Sequence, residues 1–95
     1  MQPMERFEVL PEYLQYLGDQ TVHTLERWFN YGGNLSGFYS HLLSGDYESA
    51  ACNASGKNLD NFGHLVRLLA QSAPDDGFGS LEKVNTYIGL ILRSS

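Results

Sequence analysis

Hydrophobic positions along this chain recur at helical spacing, and no stretch competes with the strict alternation of a strand. Val22, Leu25, Trp28 and Phe29 fall at i, i+3, i+6 and i+7 and form one inward stripe, while His23, Glu26, Arg27 and Asn30 point elsewhere. This predicts a helix over about Gln20 to Tyr31, capped by Asp19 or Thr21 and ended by Gly32-Gly33. Before it, Pro11 suits the first turn of a short helix, Glu12 to Leu17, closed by Gly18. Met1 to Glu8 has no periodicity and is expected to be irregular and at the surface.

After the glycine pair, Asn34 or Ser36 caps a third helix to about Ser44, with Phe38, Leu42 and Leu43 inward and Gly45 as left-handed terminator. Asp46 caps a fourth, Tyr47 to Ala54, and Glu48 in its first turn favours the same dipole end. Ala50, Ala51 and Ala54 keep that helix thin, which predicts central packing with Cys52 as a small buried or half-buried hydrophobe. Gly56 ends it. Asn58 then caps a fifth helix, Leu59 to about Ser72, inward through Leu59, Phe62, Leu65, Val66 and Leu69. Pro74-Asp75-Asp76-Gly77 breaks the chain, and Ser80 caps a last helix, Leu81 to about Arg93.

That last helix is apolar nearly all round at Tyr87, Ile88, Leu90, Ile91 and Leu92, interrupted by Gly89, so it needs cover on two sides. A 95-residue chain has little core to spare. The expectation is therefore an all-α, compact bundle of five or six short helices in one domain, assembled as a homo-oligomer through this helix.

Composition excludes several functions. Apolar residues make up 42% and charged ones 18%, which suits a globular chain. The net charge is −5, and Arg6, Arg27, Lys57, Arg67, Lys83 and Arg93 are scattered, so no basic face meets duplex DNA. Cys52 is alone, which leaves no internal disulfide and no thiolate cage. Neither a signal peptide nor a membrane span is readable, and the default expectation is a cytoplasmic protein.

Residues 28–88 resemble, without a gap, a family of small bacteriophage and prophage proteins with the pattern G-x-P-P-G-S-F-L, N-D-L, A-D-x-x-N and P-x-x-x-x-G-S-x-E. The matching positions are Trp28-Phe29, Gly32, Phe38, Leu43, Asp46, Ala50, Ala54, Asn58, Pro74, Gly79-Ser80 and Glu82, with Tyr87 where the family has tryptophan. Asn34-Leu35 replaces the two prolines, Ser36-Gly37 reverses G-S, Gly45-Asp46 stands for N-D and Ala54-Ser55 for A-D. The resemblance implies a phage setting without an assigned enzymatic activity. Small phage proteins of this kind often bind one host molecule and block it.

The candidate chemistry lies at two glycine-led helix starts, Ser36-Gly37-Phe38-Tyr39 and Gly77-Phe78-Gly79-Ser80, with Gly33 preceding the first. Brought together, their free N–H groups would hold a phosphate, with Tyr31, Phe38, Tyr39 or Phe78 stacking on an attached base and Lys83 or Arg67 as counter-charge. Plain capping and corner packing is the competing reading. Neither stretch matches a P-loop or dinucleotide fingerprint. His23, His41 and His64 lie on three different predicted helices and form no metal set. Ser40-His41 with Asp46 has triad letters, but neighbouring helical residues diverge by about 100° and form no nucleophile and base pair. The expected function is non-enzymatic and needs no cofactor: sequestering a host ligand, in its sharpest form a phosphate-bearing nucleotide defence signal. The alternative is an inhibitor that docks on a host protein.

Overall fold

Helix α1, Asp19–Tyr31, is the axis on which the rest packs. The computed structural model describes residues 6–35 and 37–93, without the side chains of Asp75, Leu92 and Arg93. Leu25, Trp28 and Phe29 turn into the core as their spacing predicts. The start of α1 differs from expectation: extended Gly18 precedes it and no side chain caps it. Thr21 is buried instead, its hydroxyl 2.9 Å from both the Tyr39 hydroxyl and Asn58 Oδ1.

Asn30 departs from expectation too. It is only 2% exposed, because α1 is covered on a second side by the N-terminal segment. Its side-chain amide accepts from the Phe7 N–H at 2.6 Å and donates to the Phe7 carbonyl at 2.9 Å, much as a neighbouring strand would. Phe7 and Val9 are buried while Arg6 and Glu8 are exposed. The segment is thus a strap of alternating burial, irregular in backbone as expected, and the surface place expected for it is corrected at Phe7; residues 1–5 lie outside the described residues. Burying Phe7 and Val9 stabilises the fold by roughly 1.5–3 kcal/mol each.

The expected helix Glu12 to Leu17 is only a 3-10 turn, Pro11–Tyr13, followed by a turn in which the Tyr16 N–H donates to the Tyr13 carbonyl at 3.0 Å. The Tyr13 hydroxyl donates to Gln71 Oε1 at 2.7 Å and anchors the turn on the fifth helix. Helices α2 (Gly37–Leu43) and α3 (Tyr47–Asn53) form a tight hairpin through Gly45, φ +85°, and the Asp46 carboxylate accepts the Ser49 N–H at 3.3 Å as a cap. Of the alanines, Ala50 is buried, but Ala51 and Cys52 are exposed. So short a helix presents one face to α2, which corrects the buried place expected for Cys52.

The fifth helix was expected as one piece from Leu59. It begins at Gly56 as α4, Gly56–Asp60, breaks at Asn61 (φ −121°, ψ 28°), and resumes as α5, Phe62–Ser72. Asn58 is no cap, since it accepts the Thr21 hydroxyl across the fold. Leu59 is consequently exposed, and Leu68 joins Leu65 and Leu69 in the core.

Ser80 caps α6, Leu81–Thr86, as predicted, accepting the Lys83 N–H at 3.1 Å. The helix then stops. Residues 87–89 are outside any helix, Tyr87 extended and Gly89 at φ +108°, and a last turn, α7 (Leu90–Arg93), follows. A Cβ on Gly32 would lie 2.7 Å from the Ile88 carbonyl oxygen, and one on Gly89 2.6 Å from that of Asn30, so two backbones touch where only glycine fits. This break answers the all-round apolar pattern. Leu90 enters the core, Tyr87 is half-buried with its hydroxyl donating to the Phe29 carbonyl, and Ile88 remains 60% exposed. A continuous helix with two covered faces is therefore absent from the described residues; the Leu92 side chain lies outside them.

The architecture is all-α: six helices of five residues or more and a final turn, without a strand among the described residues. Among the described residues, no helix is long and apolar enough to cross a membrane.

Candidate functional site

The second glycine corner spends its polar groups inside the protein. The Trp28 indole N–H donates to the Gly77 carbonyl at 3.1 Å, the Gly79 N–H donates to Leu43 at 2.9 Å, and the Tyr87 ring occupies the space beside Gly77. Ser80 holds its own helix start. This corner meets the C-terminal end of α2, where a Cβ on Gly45 would lie 2.7 Å from the Gly79 carbonyl oxygen. Gly37 begins the same helix about 9 Å away at 1.5 Å per residue. The two helix starts therefore sit at opposite ends of α2, although Gly33, Asn34 and Leu35 before α2 and Leu81 in α6 line one hollow.

The individual residues scatter accordingly. Phe38 is buried edge-on against Tyr39 and Phe62, and Tyr39 is tied to Thr21. Phe78 packs half-buried on the core, Gly79 is committed to Leu43, and Lys83 is exposed. Gly37 has a φ of +50° with open space around it, and Ser36 lies outside the described residues. Arg67 lines two other hollows with His64, one that includes Asp60 and one that includes Glu12 and Tyr16, beside a stacked Tyr16–His64 pair 3.8 Å apart. Each hollow sets one carboxylate against its charge.

Tyr31 and Gly33 do come together, through a residue the glycine pattern did not include. Arg27 donates to the carbonyls of Gly32 (3.0 Å) and Asn34 (2.9 Å), pinning the loop after α1. Gly33, φ +102°, makes room, since a Cβ there would lie 2.8 Å from the guanidinium. With five N–H donors, Arg27 keeps some to offer. It lines a hollow of about 230 Å³ with Arg6, His23, Glu26, Asn30 and Tyr31. Five of these follow one face of α1 at i, i+3, i+4, i+7 and i+8, and Arg6 is delivered by the strap.

The charge balance distinguishes this hollow. Two guanidiniums face one carboxylate, and Glu26 already accepts the Val9 N–H at 3.1 Å. A neighbouring hollow of about 260 Å³ between Trp28, Gly33–Leu35 and α6 has no charged lining. The Tyr31 ring is 49% exposed at the edge of the first. Arg6 also lies 3.7 Å from Glu8, an exposed pair of little energetic weight. The geometry suits an anion carrying a flat group. At 230 Å³ the space is below the usual range for an enclosing ligand pocket, room for a phosphate-sized group and part of a larger one.

Elsewhere, Asp46 titrates below its ordinary value because Ser49 hydrogen bonds favour its charged form, a capping effect outside the hollow. No cluster of three metal-ligating side chains occurs among the described residues. Sequence reasoning passed over Arg6, His23 and Arg27. The signal was present in the polar face of α1, since His23, Glu26, Arg27 and Asn30 are the residues set against its apolar stripe. No protein-family model, curated protein or solved structure matches this chain.

Proposed function

We propose that this protein is a non-enzymatic binding protein that holds a phosphate-bearing, nucleotide-like ligand in the hollow on α1. One observation carries the reading: on a chain of net charge −5, Arg6 and Arg27 share a hollow with a single carboxylate and an exposed tyrosine. The guanidiniums suit phosphate oxygens and the Tyr31 ring suits the face of a base. Sequestration fits better than turnover, because the lining pairs no nucleophile with a base and its carboxylate is engaged by Val9. The phage resemblance supplies the setting, in which such a protein withdraws a host nucleotide signal.

Calorimetry with adenosine 5′-monophosphate and inorganic phosphate at low salt tests this. The nucleotide is expected to bind more tightly than phosphate, and to lose about tenfold or more in affinity on raising the salt or on Arg27→Met. Absence of both heat and thermal shift across a nucleotide panel removes the reading. Recovery of unchanged nucleotide after denaturation separates sequestration from catalysis.

A second reading rests on Leu81 and Ile88, 59% and 60% exposed beside shallow hollows along α6 and Tyr87. Such residues suit docking on a host protein or on a second copy. A stoichiometric partner that survives nucleotide removal, and is lost on Ile88→Asp, would favour it. Native mass spectrometry gives the copy number.

A further inference from the structure

The strap and the hollow share their fastenings. Asn30 and Glu26, the two side chains that hold the backbone of Phe7 and Val9, both line the hollow, and Arg6 precedes Phe7 by one residue. Resting on the ligand site assigned above, we propose that the N-terminal strap is a working part of it. Docking of Arg6–Val9 sets the charge of the hollow, so that an anionic ligand and the strap bind α1 cooperatively.

The electrostatics give the reason. With the strap docked, Arg6 and Arg27 face Glu26, whose carboxylate is partly satisfied by the Val9 N–H. Lifting the strap removes Arg6 from the lining, carries off Glu8, which sits 3.7 Å from Arg6 but outside the lining, and frees Glu26 from its donor. Arg27 then faces a full carboxylate, and the cationic excess is gone. A phosphate monoester binds the docked state more strongly than the lifted one, and by linkage its binding must hold the strap down. Attachment is strong enough to form and local enough to open: Phe7 and Val9 are 1% and 6% exposed, while their backbone is held by side chains rather than by a sheet or helix.

Hydrogen exchange on the full chain reads this directly, because the Phe7 and Val9 amides are the donors to Asn30 and Glu26. Saturating adenosine 5′-monophosphate is expected to slow exchange at both by tenfold or more, with Leu68 and Leu69 in α5 as the control for global stabilisation. Arg6→Gln, at an exposed position, should weaken binding about tenfold without lowering the melting temperature. Glu26→Gln keeps an acceptor for Val9 while removing the opposing charge, and should tighten binding several-fold. If the nucleotide binds with Arg6→Gln unchanged and Phe7 and Val9 exchange unmoved, the strap is merely structural and the coupling is wrong, while the binding function stands. If the native chain binds no nucleotide, both fall together.

Discussion

Two glycine turns, Gly32-Gly33 that ends α1 and Gly77–Gly79 before α6, do opposite things. At Gly77–Gly79 the space and the polar groups go to the protein itself: a tyrosine ring, an indole N–H and the Leu43 carbonyl. At Gly33 the space goes to a guanidinium, and beside it a charged hollow stays open. Glycine with aromatics therefore marks close approach without saying what approaches. Packing closes one corner, while a cation holds the other open.

Trp28 reaches Gly77 with its indole N–H and lines the uncharged hollow that includes Gly33, so its loss should be the most damaging. Trp28→Ala is expected to cost about 3–5 kcal/mol in denaturant unfolding. A cost below about 1 kcal/mol would show that the two corners are not tied through this ring.

Replacing glycines separates backbone contact from conformation. Gly45→Ala, with φ +85° and a Gly79 carbonyl oxygen 2.7 Å from the new Cβ, should cost about 2 kcal/mol or more. Gly37→Ala, with φ +50° in open space, should cost only about 1 kcal/mol and leave nucleotide affinity unchanged. Equal costs would mean that the second corner is not closed by contact. Gly63→Ala calibrates both: it lies in α5 with nothing near it and without a positive φ, and should stabilise the protein by about 0.5–1 kcal/mol.

The smallest effect concerns pH. The Asp46 carboxylate, which starts α3 just after Gly45, titrates in the folded state below its ordinary 3.8 because of Ser49. Its contribution is present above the unfolded value and disappears as pH falls through the folded one. Melting curves of Asp46→Asn should converge with those of the native chain in acid and separate above about pH 4. Parallel curves throughout would remove the cap from the hairpin that seats Gly79.

Much of the fold was legible because its signals are local. The stripe Leu25, Trp28, Phe29, the caps at Asp46 and Ser80, and the terminator Gly45 each depend on neighbours within one or two turns. The site was legible only in part. Tyr31 lines the candidate hollow beside the expected corner, but its cations are Arg27, one turn back on the polar face, and Arg6 on the strap, and Gly33 meets only Arg27.

The sequence by itself determined an all-α chain, its acidic charge and most helix boundaries, because periodicity and capping act over a few residues. Tertiary structure decided where helices break and which polar groups are buried. Asn58 turns to Thr21, Gly89 meets the backbone of α1, and Asn30 clasps a residue 23 positions away. Those choices depend on contacts between distant segments, and so does the hollow on α1, whose second cation arrives only when the strap lies down across the helix.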